Sequence, residues 1–192
     1  MNEKDKIEYR YGRGVVALFA KEPVKGKVKT RMEAQLGQDG ALSLHKALIR
    51  YVFSNLAESQ LCPVQLWVAQ AHAASISNNR SEEFFLSVCN KRDIAYQEGE
   101  SLGERMAHTA RELLKDSEYV VLVGADCASV DAAYLEQALE ALESGEHIVF
   151  GPAEDGGYVL LGLRKVPECL FTQVPWGEAE VMAKTRQNLK AA

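Results

Sequence analysis

Val120-Val121-Leu122-Val123-Gly124-Ala125-Asp126-Cys127 is the stretch on which the fold turns. An apolar run rich in β-branched residues, with no polar alternation, reads as a strand buried on both faces, as in a parallel sheet covered by helices on each side. It delivers one carboxylate, Asp126, at its C-terminal end, where open α/β sheets bind ligands. A second stretch, Gly151-Pro152-Ala153-Glu154-Asp155-Gly156-Gly157-Tyr158, sets two carboxylates beside two glycines. Acidic side chains and a closely approachable backbone therefore meet in one loop.

Working outward, strand-like runs alternate with helix-period segments. Residues 14–20 (GVVALFA) read as a first strand, followed by a basic turn over 21–29 and a long helix with an apolar stripe at Leu44, Leu48, Tyr51, Val52 and Leu56. Residues 64–69 are a second strand, 81–89 a helix, 94–97 a short strand, and 102–115 an amphipathic helix through Met106, Ala110, Leu113 and Leu114. After the strand ending at Gly124, Ser129 or Asp131 caps a helix carrying Leu135, Ala138, Leu139 and Leu142, with Gly145 as its stop. Strands over 147–150 and 158–163 flank the acidic loop, and a final helix runs over about 178–189. The alternation predicts a single domain built as a three-layer α/β/α sandwich around a mostly parallel sheet, made mixed if the strands flanking the acidic loop run antiparallel. Residues 1–13 read as a flexible tail.

Composition narrows the function classes. A chain of 192 residues that is 47% hydrophobic and 26% charged buries a sizeable core. Its net charge of -5 argues against a nucleic-acid partner, because phosphate backbones are met by basic faces. Cys62, Cys89, Cys127 and Cys169 are scattered without a CxxC pair, so they indicate neither a zinc site nor a disulfide framework. No apolar run reaches the roughly 20 residues that span a bilayer, and the mixed-charge start does not resemble a signal peptide, so a cytoplasmic location is expected. His45, His72, His108 and His147 have no ligand spacing and read as structural or exposed.

One local shift runs against the acidic total. The loop Lys21-Glu22-Pro23-Val24-Lys25-Gly26-Lys27-Val28-Lys29-Thr30-Arg31 places four lysines and an arginine between the first strand and a helix start. Free backbone N–H groups, a helix N-terminus and cationic side chains are what a phosphate cradle requires. The spacing GxxxxGK[ST] is absent, so this is not a Walker A loop. A solvated surface turn is the competing reading.

With these residues in place, the chain resembles the glycosyltransferase-A-like proteins related to 2-phospho-lactate guanylyltransferase. The resemblance rests on the basic loop from Ala20 to Arg31, on Gln97-Glu98-Gly99-Glu100-Ser101-Leu102-Gly103-Glu104-Arg105-Met106, on Gly124-Ala125-Asp126, on the acidic loop, and on Pro175-Trp176-Gly177, in that order. It implies a nucleotide-diphospho-sugar-transferase fold that binds a nucleoside triphosphate or nucleotide sugar with Mg2+ or Mn2+. Within it, Lys21, Gly26, Lys29, Thr30 and Arg31 correspond to the phosphate loop, and Ser101, Leu102, Gly103 and Arg105 to a nucleotide-binding segment. Asp126 corresponds to the metal-binding aspartate, a hard oxygen ligand suited to either ion. Glu154, Asp155, Gly156, Gly157 and Trp176 correspond to the acceptor side, and the catalytic set is Asp126, Asp155 and Lys29.

Simpler readings stand beside these. Asp126 can cap a turn, Asp155-Gly156-Gly157 is a strong hairpin-turn signal, and Trp176 can be core packing rather than a stacking wall. The resemblance also implies a further C-terminal strand with another acidic motif, whereas this sequence stops at Lys190-Ala191-Ala192. Three expectations follow: Glu154 or Asp155 supplies a second carboxylate, water completes the site, or the protein is a truncated and weakly active member. Nucleotidyl transfer, glycosyl transfer and nucleotide binding without turnover all remain open, with the basic loop favouring a triphosphate. A homo-oligomer is compatible with the sequence.

Overall fold

The computed structural model describes residues 8–70 and 79–190, and helices pack on both faces of one six-stranded sheet. The strands are β1 (Gly14–Lys21), β2 (Val64–Ala69), β3 (Ile94–Tyr96), β4 (Tyr119–Gly124), β5 (Ile148–Pro152) and β6 (Tyr158–Leu163). The helices are α1 (Glu33–Glu58), α2 (Asn79–Leu86), α3 (Leu102–Leu113), α4 (Ala132–Glu143) and α5 (Val181–Lys190). The sheet order is β3-β2-β1-β4-β6-β5, with β1, β2, β3 and β4 parallel and β6 antiparallel to both of its neighbours. The expected mixed sheet is therefore observed.

Both faces of the central strands are apolar because both are covered. Val16, Leu18, Val121 and Val123 pack with Ile49 and Leu56 of α1 and Leu135 and Leu139 of α4. On the other face, Val15, Ala17, Val120 and Leu122 pack with Met106, Ala110 and Leu113 of α3. Asp131 caps α4 by accepting the N–H of Tyr134 at 2.8 Å. Gly145 stops it with φ 113, a conformation that needs glycine.

Two expectations are corrected. The buried face of α1 runs through Ala41, His45, Ile49, Val52, Phe53 and Leu56, whereas Tyr51 is 53% exposed. Ile49 and Phe53 carry the stripe in place of Leu48 and Tyr51, and His45 is tolerated on it because its Nε2 bonds the Lys21 carbonyl at 3.0 Å. The tail reading also fails for residues 11–13. Tyr11 is buried and donates its N–H to Leu61 O at 2.7 Å, while Arg13 pairs with Glu118 and Glu143. Residues 1–7, His72 and residues 191–192 lie outside the described residues.

The strand order places the site. Chain connections leave β1 toward β2 and β3 on one side, while β4 lies on the other, so a crevice opens at the carboxyl ends of β1 and β4. Because β5 runs in the same direction as β4, the hairpin loop between β5 and β6 emerges at that same end of the sheet. The topology thereby brings the Asp155 loop to the strand end that carries Asp126.

Candidate active site

Two adjoining cavities meet at the end of β4. One, of about 260 Å3, is lined by Lys21, Lys29, His45, Gln97, Arg105 and Asp126, among others. The other, of about 510 Å3, is lined by Arg31, Asp126, Cys127, Asp155, Tyr158 and Trp176, among others. Phe19, Leu102, Gly124 and Asp126 belong to both. The first is basic and narrow; the second is wider and carries the acidic loop.

Asp126 is reached by Lys29 from across the crevice, with Nζ to Oδ2 at 3.1 Å. Lys29 can do this because its backbone takes the left-handed conformation, φ 49 and ψ 37, at the start of a short 3-10 turn held by Met32 N–H to Lys29 O at 2.8 Å. Burial alone would raise the Asp126 carboxyl, but the charge and hydrogen bond of Lys29 outweigh it and hold the group below its ordinary value. The side chain is 57% exposed, open to the crevice. The neighbouring Cys127 thiol is pushed up to about 12 by burial, then by the Asp126 charge, so it is no thiolate nucleophile.

Cations and amides line the smaller cavity. Arg105 donates from Nη1 to Glu100 O at 3.2 Å, while its Nε is buried with no hydrogen-bond partner among the described residues. Gln97 donates its side-chain amide to Trp67 O at 2.8 Å, which leaves its amide oxygen as an acceptor. Sequence reading passed over Gln97 as a site residue and treated His45 as merely structural or exposed. Burial depresses the His45 ring below its ordinary value, so it is neutral as it bonds the Lys21 carbonyl.

Not every expected residue reaches this place. Thr30 and Gly26 belong to the loop, with Gly26 at φ 74, but neither lines either cavity. Arg31 lines the wider cavity rather than the basic one. Ser101 spends its hydroxyl on the capping box of α3, accepting the Glu104 N–H at 3.2 Å. Gly103 is buried under Trp176, where an added Cβ would lie 3.1 Å from the indole Nε1. Ser101 and Gly103 line a third cavity of about 760 Å3 on the far side of Trp176.

In the acidic loop, Asp155 accepts the Gly157 N–H at 3.1 Å, so the turn reading holds alongside its place on the cavity wall. Glu154 is exposed and lines none of these cavities. Gly156, at φ 86, presses on the start of α5: its carbonyl accepts Met182 N–H at 2.9 Å. Trp176 packs edge-on against Tyr158, with ring centroids 6.2 Å apart, and walls the wider cavity as well.

Among the described residues no three His, Cys, Asp or Glu side chains converge to hold a metal. The oxygens of Asp126, with Asp155 on the same cavity wall, are nonetheless the donors that magnesium and manganese take. Magnesium bound through one or two carboxylates completes its shell with water and substrate phosphates. The donor set fits an ion that arrives on a polyphosphate.

No helix among the described residues is long and apolar enough to cross a membrane. No curated protein matches the chain. A crystal structure of a candidate nucleotide-diphospho-sugar transferase from Desulfovibrio desulfuricans G20 is 29% identical with a TM-score of 0.80, covering 94% of this chain and 76% of that one. A cytidylyltransferase from Leptospira borgpetersenii serovar Hardjo-bovis shares the fold at 11% identity and a TM-score of 0.57, covering 94% of this chain and 73% of that one. The chain has the nucleotide-diphospho-sugar-transferase fold. A family profile matches residues 48–178, more than half of the sequence, and the chain belongs to that family, DUF2064, described as uncharacterized protein conserved in bacteria.

Proposed function

We propose that the crevice performs nucleotidyl transfer from a nucleoside triphosphate to a small phosphorylated or hydroxylated acceptor. The observation that carries this reading is the position of Asp126, shared by a cavity lined with Lys21, Lys29 and Arg105 and one lined with Arg31, Asp155 and Trp176. A triphosphate demands concentrated cationic charge, which the smaller cavity supplies. The buried, unpartnered Nε of Arg105 is a donor suited to a phosphate oxygen. Gln97 offers its amide oxygen to an N–H on the base edge.

In this reading the acceptor oxygen attacks the α-phosphorus in line. The new O–P bond forms as the bond to the bridging oxygen breaks, and pyrophosphate leaves with the electron pair. Lys21, Lys29 and Arg105 neutralise the charge on the departing pyrophosphate. Asp155 takes the proton of a hydroxyl acceptor or orients a phosphorylated one. Asp126, with the polyphosphate oxygens, would hold Mg2+ or Mn2+, which when bound supplies further charge neutralisation. No covalent intermediate on the protein is required.

A second reading, glycosyl transfer from a nucleotide sugar with release of a nucleoside diphosphate, is favoured by the 29% identical structural relative. A thermal-shift panel of nucleoside triphosphates and nucleotide sugars with Mg2+ or Mn2+ selects between donors. At 100 times its Kd a ligand adds about 2.7 kcal/mol, roughly 5 to 10 °C in Tm for a chain of this size. Phosphorus NMR with candidate acceptors then reads pyrophosphate against nucleoside diphosphate. Absence of a shift with both donor classes would overturn the nucleotide reading.

A further inference from the structure

We infer that Lys29 is a built-in counter-ion that closes Asp126 to free divalent metal and yields it only to metal carried by a polyphosphate. The inference rests on the reading of Asp126 as the metal-binding carboxylate and goes beyond it to the order in which the site fills. Three features of the crevice carry it.

First, the carboxylate already has a cationic partner. Lys29 Nζ sits 3.1 Å from Oδ2, and the Cys127 thiol lies 3.7 Å from Oδ1. Second, little else is available to bind an ion by itself. Asp155, the other carboxylate on the cavity wall, has one oxygen committed to the Gly157 N–H, and no cluster of three metal-ligating side chains exists among the described residues. A free ion would have to displace an ammonium from a single carboxylate and would gain few ligands in return. Metal bound to a triphosphate brings phosphate oxygens for its own shell and for the displaced lysine. Third, the lysine has somewhere to go. Lys21, Lys29 and Arg105 all line the same cavity of about 260 Å3, so an anion entering it draws Lys29 away from Asp126 without leaving either charge unpaired.

The loop geometry suits this exchange. Lys29 holds a left-handed backbone conformation uncommon for a residue with a Cβ, and Gly26, also at positive φ, lies three residues before it. Its side chain is 23% exposed, so it is held within the crevice rather than waving in solvent.

The test has two arms on the whole protein: Mn2+ alone, read as free Mn2+ by electron paramagnetic resonance, and the preformed Mn2+–triphosphate complex, read as heat of binding by isothermal titration calorimetry. Wild type should bind Mn2+ alone weakly and Mn2+ with triphosphate at least tenfold more tightly. Lys29→Met should bind Mn2+ alone at least tenfold more tightly than wild type, and adding Asp126→Asn should abolish that gain. Lys29→Gly, which suits the left-handed backbone, should behave like Lys29→Met and guards against a folding artefact in the first variant. Unchanged affinity for Mn2+ alone in both Lys29 variants would overturn the counter-ion role. If Asp126→Asn binds Mn2+ with triphosphate as wild type does, the assignment of Asp126 to the metal fails instead.

Discussion

Gly156→Ala tests how the acidic loop is held against the rest of the site. A Cβ at this position would lie 2.0 Å from the Ala179 carbonyl oxygen and 2.7 Å from its carbon, both backbone atoms that no side-chain rotation can move. The residue also holds φ 86, so alanine meets a conformational penalty of about 1 to 2 kcal/mol even without the clash. Relieving the overlap requires the loop and the start of α5 to part, which endangers the 2.9 Å bond from Met182 N–H to Gly156 O and resembles overpacking, at about 1 to 3 kcal/mol. Together these predict a loss of about 2 to 5 kcal/mol, or roughly 4 to 20 °C in Tm for a chain of this size, read by reversible thermal or urea unfolding. Gly177→Ala is the matched control. It too sits at positive φ, 89, but a Cβ there meets nothing within 4 Å, so only the conformational penalty of about 1 to 2 kcal/mol applies. Equal destabilisation of the two variants would show that the contact between the acidic loop and the start of α5 does not hold the loop.

Tyr119→Phe removes a buried hydroxyl that donates to Glu143 at 2.5 Å, far from the crevice at the opposite end of β4, and should cost about 1 to 2 kcal/mol in urea unfolding while leaving nucleotide thermal shifts unchanged. Burial lowers the folded-state value of His45, so its contribution is complete above the unfolded value near 6.5 and is lost as pH falls below it; His45→Gln should flatten the fall of Tm as pH drops below about 6.5. Arg31→Ala should weaken acceptor binding or turnover more than triphosphate binding, because Arg31 lines the wider cavity, and calorimetry with triphosphate alone checks this. Asp126→Asn should remove the metal dependence of nucleotide binding while leaving the fold intact, measured by thermal shift with and without Mg2+.

Much of the scaffold was legible from residue order because it depends on local chemistry. The apolar run before Gly124 becomes β4, buried on both faces, and the stripe Leu135, Ala138, Leu139 and Leu142 packs inward on α4 as its spacing requires. Asp131 was one of two caps open to sequence, and the turn signal of Asp155-Gly156-Gly157 is realised as a bond from Gly157 N–H to the Asp155 carboxylate. These features are set within a few residues of chain, where periodicity and capping act.

Contacts between distant segments had no such signature. Lys29 and Asp126 are joined only because β1 and β4 are neighbours in the sheet, so nothing in the spacing of the basic loop marks which lysine turns inward. His45 looked like any histidine on an amphipathic helix until the Lys21 carbonyl supplied a partner for its buried ring. Ser101 and Gly103 sit in a motif that sequence assigned to the nucleotide, but helix capping claims the first and packing under Trp176 the second. Sequence alone determined which segments become strands and helices, since hydrophobic period and caps are local. Tertiary structure decided which of the many charged side chains face one another, because the energy of a charge depends on the partners and solvent that folding places around it.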